Sequence, residues 1–204
     1  SFYHERLFSI PAAGAVLDWD DQPSRTLAVR AAVLAGLCPT VKYQGIIVVV
    51  ALSLALLLAG RQPLRRRLRM VIALGAGVLL LLAPWLFRNL IQTGTPLGDS
   101  AFDPVFVRQM VAFRQATGMG HGFLDLLAAP WNVTMRTTPG LYEHSFGYQI
   151  GPLYLFSGLL AMAVVRRVPR SSFLLCAIGV QFVAWFLSFQ ESRYLLPILV
   201  LLAL

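Results

Sequence analysis

Residues 61–89 read RQPLRRRLRMVIALGAGVLLLLAPWLFRN. The middle of this stretch, residues 70–87, is a continuous apolar run. As a helix rising 1.5 Å per residue it covers about 27 Å, close to the ~30 Å of a bilayer's hydrocarbon core. Pro84 stands near enough to the end of the run to be tolerated there. Ahead of it come Arg61, Arg65, Arg66, Arg67 and Arg69, and arginine clusters in short loops stay on the cytoplasmic side of a membrane. The stretch therefore predicts a transmembrane helix that starts inside and reaches the outer face at Arg88 and Asn89.

The composition of the whole chain agrees. With 57% hydrophobic and 13% charged residues and a mean hydropathy of +0.70, it lies outside the range of soluble globular domains. The net charge of +8 is not a nucleic-acid signal, because the basic residues fall in short clusters between apolar runs and form no extended basic face. Cys38 and Cys176 both lie inside apolar segments, which marks them as small buried hydrophobes and not as a disulfide or a metal pair.

Two further apolar runs, residues 151–165 and 171–189, are joined by RRVPR, which carries Arg166, Arg167 and Arg170. Placing that joint inside puts residues 88–150 and the QESR segment, 190–193, outside, so two independent arginine clusters give one topology. Upstream, residues 27–59 as a single helix would measure about 50 Å, too long for a bilayer even when tilted. The segment CPTVKYQG interrupts them: Pro39 removes an amide donor, Gly45 loosens the chain, and Lys42 is costly at the bilayer centre. Residues 43–59 then run inward to Arg61 and leave Lys42 and Tyr43 at the outer surface. Residues 27–41 form either a tilted span or a re-entrant segment. If they span, DWDDQPSR is cytoplasmic and the apolar stretch 7–17 rises to an outer end at YHER. The expected fold is all-α, a polytopic helical membrane protein with short or broken helices. Residues 1–88 form membrane helices with a cytoplasmic arginine-rich loop at 61–69, residues 89–149 an extracytoplasmic loop, and residues 150–204 membrane helices with a cytoplasmic loop at 166–170. Because the chain opens at Ser1 without Met or a signal-peptide pattern and stops at Leu204 within an apolar run, the expectation is a fragment of a longer protein.

The outer loop is far longer than ordinary connections, and loops of that length are commonly functional or have structure of their own. In DPVFVRQMVAFRQATG, Val105, Phe106, Gln109, Met110 and Phe113 share a helical stripe, Arg108 and Arg114 lie off it, and Asp103 before Pro104 is a good N-cap. This pattern suits an amphipathic helix lying on the membrane, or a packed lid helix. HGFLDLLAAPWNV supplies a second short apolar helix ending at Pro130, with Trp131 suited to the interface. Asn132, Val133 and Thr134 match the glycosylation tripeptide. GLYEHSFGYQIGPLYL then leads back to the membrane with Glu143 and His144 among its aromatics and glycines.

The border charges His4, Glu5, Arg6, Lys42, Arg88 and Arg193 all map to outer helix ends in this topology. No phosphate-binding glycine loop, HExxH, nucleophile elbow or Cys/His cluster is present, so any chemistry uses scattered residues. Three cations on one face, Lys42, Arg88 and Arg193, suit a ligand with an anionic head and an apolar tail. Arginine forks bind phosphate oxygens in bidentate fashion and a lysine adds a point charge, and a lipid-linked phosphate has that shape. Each cation taken alone is the pattern of a snorkelling anchor.

The segments LAGLCPTVKYQG, APWLFRNLIQTGTP, PWNVTM, GPLYL and ESRYLLPILVLLAL, in this order, resemble the GT-C membrane glycosyltransferases, particularly the bacterial branch of the protein mannosyltransferase and aminoarabinose transferase superfamily. The resemblance covers most of the chain. It implies a multi-helix transferase of the bacterial inner membrane that moves a sugar from a polyprenyl-phosphate donor to a lipid, glycan or protein acceptor on the outer face, and some members use a divalent cation. Carried over by position, Lys42 and Tyr43 in VKYQG, Arg88 and Asn89 in WLFRN, and Arg193 and Tyr194 in SRYLLP look like residues that meet the donor phosphate. Glu5 in YHERLF looks like the family's acidic residue at an outer helix start, there to bind a metal or the acceptor. The family's catalytic carboxylate, in the first outer loop, has no counterpart here and is expected upstream of Ser1, with Glu5 as the base candidate within this chain. Rival readings are a transporter or lipid flippase, suggested by the Pro-broken segment with its lysine, and a noncatalytic membrane subunit.

Overall fold

The structure, a computed structural model, describes residues 2–41, 45–96, 105, 108, 109, 112, 120–135, 171–188, 190 and 195, with side chains described from residue 8 in the first of these stretches to residue 40. All regular structure among the described residues is helical: α1 Phe2–Asp21, α2 Arg25–Val41, α3 Gly45–Ala59, α4 Leu64–Thr93, α5 Phe123–Met135 and α6 Ser171–Leu187. Chain contacts divide the molecule into two units, Ser1–Phe102 with Ser172–Val180, and Asp103–Ser171 with Gln181–Leu204.

In the first unit α2 is the central helix, packed most extensively on α4 and α1, while α3 touches α4, α2 and, least, α1. The ends of these helices follow from local chemistry. Pro23 stops α1, and Ser24 starts α2 by accepting the Leu27 amide on its hydroxyl at 3.2 Å. Gly60 donates its amide back to Leu56 O at 3.0 Å to close α3. Pro63 precedes α4 with φ −53° and ψ 143°, and Gly94 ends it at φ 75°, donating to Leu90 O. Only glycine takes that left-handed cap without strain.

The α2–α4 contact depends on small residues. A Cβ on Gly77 would lie 2.1 Å from Ala32 O, and one on Gly36 would lie 2.4 Å from Gly77 O. The two backbones touch, as in the small-residue seams by which membrane helices associate. The α2–α3 junction is equally close: a Cβ on Gly45 would lie 2.3 Å from the Cys38 carbonyl. Gly45 therefore serves close approach, and not the loosening that its place after Pro39 suggested.

The extents of α2, α3 and α6 match the apolar runs to within about two residues, whereas α1 runs well past the apolar stretch 7–17 at both ends. The arginine-rich segment does not form a loop through residue 69. Only residues 60–63 connect α3 to α4, and Arg65 to Arg69 lie in the first turns of α4, while Arg88 and Asn89 lie inside its far end. Pro84 is carried within the helix. The apolar middle is what hydropathy detects, and the polar turns at both ends continue the same hydrogen-bond ladder until glycine stops it. Among the described residues α4 is the helix long and apolar enough to cross a membrane, whereas α3 and α6 are apolar but shorter. Only Met70, Leu74 and Leu82 of α4 are buried, and its opposite face leaves Ile72 70% and Leu80 73% exposed. On α3, Ile46, Val50, Leu54 and Leu58 form another exposed apolar stripe at four-residue spacing.

In the second unit α5 continues through Pro130 to Met135, five residues beyond the end expected at Pro130. Its N-terminus has the returning half of a capping box, in which Asp125 Oδ2 accepts the Gly122 amide at 2.9 Å. The helix is turned inside out: Leu124, Leu127, Trp131 and Met135 share an exposed face, while Asn132 and Thr134 are buried with Ala129 and Val133. The glycosylation tripeptide is thereby closed off, since Asn132 is 6% exposed and the Thr134 hydroxyl faces Pro130 O at 2.9 Å. Of the proposed helix before it, Val105, Arg108, Gln109 and Ala112 are helical and exposed. Residues 136–170, including the Glu143/His144 segment and the 166–170 arginines, lie outside the described residues.

Candidate functional site

The orientation of the first unit is fixed at one end by Asp20. Its side chain is 5% exposed, yet it is satisfied: Arg61 N donates to Oδ2 at 2.9 Å and to Oδ1 at 3.1 Å, and Gln62 N donates to Oδ1 at 3.3 Å. Gln62 Nε2 donates in turn to Asp20 O at 2.8 Å. Beside this latch, the Arg67 guanidinium donates to the Leu57 carbonyl at the end of α3 and to the Leu56 carbonyl, which also accepts the Gly60 amide. At the surface, Arg61 Nη1 pairs with Asp21 Oδ1 at 3.3 Å.

It follows that α1 and α3 end, and α2 and α4 begin, at the Asp20 end. The start of α1, the α2–α3 junction and the far part of α4 consequently lie at the opposite end. Of the residues expected to carry function, Glu5 sits in the first turn of α1 and Arg88 and Asn89 in the far turns of α4, so the topology brings these three to one end of the unit. Lys42 and Tyr43 lie outside the described residues, as do Arg193 and Tyr194 of the second unit, and of Glu5 the backbone alone is described. Heights along the bundle follow from the helical rise. Counted from the Gly77 contact with Ala32 and Gly36, α2 ends about 10 Å and Arg88 lies about 16 Å toward this end. Arg88 thus stands roughly one turn beyond the α2–α3 junction.

The two α4 residues have different surroundings. Arg88 is exposed, as are its neighbours Phe87, Leu90 and Ile91. Asn89 is half-buried and its Nδ2 donates to Pro96 O at 3.3 Å, while its carbonyl accepts the Thr93 hydroxyl at 2.9 Å. Asn89 therefore pins the turn after α4, a structural task that its position in WLFRN did not suggest.

Sequence patterns did not single out His121. Its Nδ1 lies 2.9 Å from Phe186 O and 3.1 Å from Gln190 Nε2, so a protonated Nδ1 donates to the carbonyl and a bare one accepts from the amide. Gln190, 1% exposed, donates through Nε2 to Gly120 O and, at 3.1 Å, to Phe186 O. An edge contact with the Phe186 ring, centroids 5.8 Å apart, completes the clamp. The imidazole is held where the long loop meets the end of α6. Such an oriented ring can take or give a proton, and the sequence signal for it was only an isolated histidine between two glycines.

Among the described residues no three of His, Cys, Asp and Glu converge as a metal site would require. Cys38 and Cys176 are both free thiols. The chain matches no family model, no curated protein and no solved structure.

Proposed function

We propose that this chain is the membrane-embedded part of a GT-C-like glycosyltransferase, a multi-pass protein of the bacterial inner membrane. It moves a sugar from a polyprenyl-phosphate-linked donor to a lipid, glycan or protein acceptor on the outer face. The observation that carries this reading is the sharing of one end of the first unit by Glu5, the α2–α3 junction and Arg88, with the exposed arginines at the start of α4 at the other end. Arg69 and Arg88 are separated by about 28 Å of helical rise, close to the thickness of a hydrocarbon core. The inverted α5, with Trp131 and Leu127 outward, fits a helix that lies at a membrane interface. The contact of Gly120 and His121 with the end of α6 accords with a loop and a QESR segment on the same side.

In the reaction the acceptor oxygen attacks the anomeric carbon, its proton passes to a carboxylate, and the bond to the donor phosphate breaks with its electron pair left on phosphate. Glu5 is the base candidate in this chain. Arg88, with Lys42 and Arg193, stabilises the charge that grows on the departing phosphate, where fixed donors in a partly dry site contribute most. Replacing Arg88 by Ala is expected to raise the barrier by about 2–4 kcal/mol. Transfer from a polyprenyl-phosphate sugar falls by roughly 30- to 1000-fold with the thermal midpoint unchanged. A variant that unfolds at the same temperature and transfers as fast as the parent sinks the proposal, and one that loses lipid flux instead points to a transporter. One observation favours a noncatalytic subunit: Arg88 is exposed beside Phe87 and Ile91, the setting of a snorkelling anchor. On that reading the variant changes neither transfer nor flux.

A further inference from the structure

The Asp20 end of the first unit carries a surface that the transferase reading does not use. Arg61, Arg65, Arg66 and Arg69 are exposed there, and so is Arg25 at the start of α2. Their partners differ. Arg61 pairs with Asp21, and Arg66 Nη1 donates to Gln62 Oε1 at 3.3 Å. Arg67 is turned inward onto the α3 carbonyls. The buried Asp20 carboxylate is occupied by backbone amides and neutralises none of the exposed guanidiniums. Arg65 and Arg69 have no carboxylate partner among the described residues. They stand one helical turn apart, on the same face, and Leu68 and Ile72 follow each of them at three-residue spacing, 45% and 70% exposed. The latch on Arg61 and Gln62 immobilises the chain that leads into this turn. The face thus presents two exposed guanidiniums at a membrane border, on a helical turn whose approach is held in place, and an apolar strip running from them toward the bilayer centre.

We propose that Arg65 and Arg69, with Leu68 and Ile72, form a binding site for an anionic phospholipid of the leaflet at the Asp20 end, the guanidiniums holding its phosphate and the leucine and isoleucine its acyl chain. The inference rests on the reading of α4 as a span. Topology alone requires only that positive charge be near this end; a site requires that the two arginines on the apolar face matter more than the two off it.

The test reconstitutes the chain in phosphatidylcholine nanodiscs and titrates it with dansyl-phosphatidylserine or dansyl-phosphatidylcholine, reading energy transfer from tryptophan. Trp19, buried next to Asp20, is a donor at this end. Dansyl-phosphatidylserine is expected to bind in preference to dansyl-phosphatidylcholine. At roughly fivefold per guanidinium, the R65Q/R69Q pair weakens that binding by about 30-fold, R65K/R69K retains most of it, and R61Q/R66Q, which removes the same charge, has a clearly smaller effect. Equal losses in the two glutamine pairs, or no preference for the anionic lipid in the parent, overturn the site while leaving the span intact. Failure of the chain to enter nanodiscs at all overturns the span itself, and with it both proposals.

Discussion

Asp20 shows how far one side chain's role can depend on residues distant in sequence. It accepts backbone amides from Arg61 and Gln62, more than forty positions away, and its burial is tolerable only because those donors reach both oxygens. Asp20→Ala removes both carboxylate oxygens at once and leaves part-buried amides unpaired, an expected loss of about 2–3 kcal/mol seen as a lower thermal midpoint in detergent. Asp20→Asn keeps one carbonyl oxygen and recovers part of it. Asp21→Ala removes the surface pair with Arg61, and a surface pair of this kind is worth under about 1 kcal/mol. Equal midpoints for Asp20→Ala and Asp21→Ala would show that the buried carboxylate does not hold this end together. The contrast explains what was legible in the candidate site. Glu5, Arg88 and Asn89 were assigned an end of the membrane because charge next to an apolar run is a local signal. Asp20, Arg67, His121 and Gln190 were missed because DWDDQP, an arginine cluster and an isolated histidine all read as solvated until the distant carbonyl or amide they meet is known. Asn89 was given a phosphate because its tie to Pro96 depends on how the chain turns after Gly94.

At the scale of elements, the α2–α4 seam is the first unit's most demanding contact. Gly77→Ala puts a methyl 2.1 Å from Ala32 O. Backbone cannot yield as a flexible side chain does, so one helix must shift, at a cost of about 1–3 kcal/mol. Gly75, two positions earlier in α4, has nothing within 4 Å of its added Cβ, so Gly75→Ala is neutral or gains up to about 1 kcal/mol of helix propensity. Unfolding of the two variants in the same detergent checks this, and a Gly77→Ala protein as stable as Gly75→Ala would mean that the helices do not touch there. Which glycine matters was invisible in LGAG, because both sit in one apolar run and only the neighbour's position separates them. That the 27–59 run is interrupted was legible from its length, but α2 carries Pro39 inside it and Gly45 serves the close approach to Cys38, so neither residue acts as the sequence suggested. The ends of α4 and α5 were not legible: hydropathy marks an apolar middle, whereas a helix stops where its hydrogen bonds are capped, at Gly94 for α4. Proline likewise proved a poor terminator at positions 39 and 130, both of which the helices carry inside.

For the whole molecule the deciding matter is what covers α4. Ile72, Leu79, Leu80 and Phe87 are each more than 60% exposed, and contiguous apolar surface of this kind is rare on proteins that face only water. In a bilayer it has a natural solvent, and the arginines at both ends then meet headgroups. Arg66 and Gln92, both exposed, stand about 39 Å apart along the same helix, beyond the hydrocarbon on either side. In a Cys38→Ala/Cys176→Ala background, which removes both natural thiols, a membrane-impermeant maleimide applied to intact bacterial cells is expected to label the Gln92→Cys variant at once. It labels the Arg66→Cys variant only after permeabilisation. Labelling of both from outside would mean that α4 does not cross, and neither the transferase nor the lipid site would survive. The reverse pattern would keep the span but turn Glu5 and Arg88 toward the cytoplasm, where an outer-face acceptor cannot reach them. The outcome thus separates the physical claim, that α4's bare face is solvated by lipid, from the functional one, that its Arg88 end faces outward.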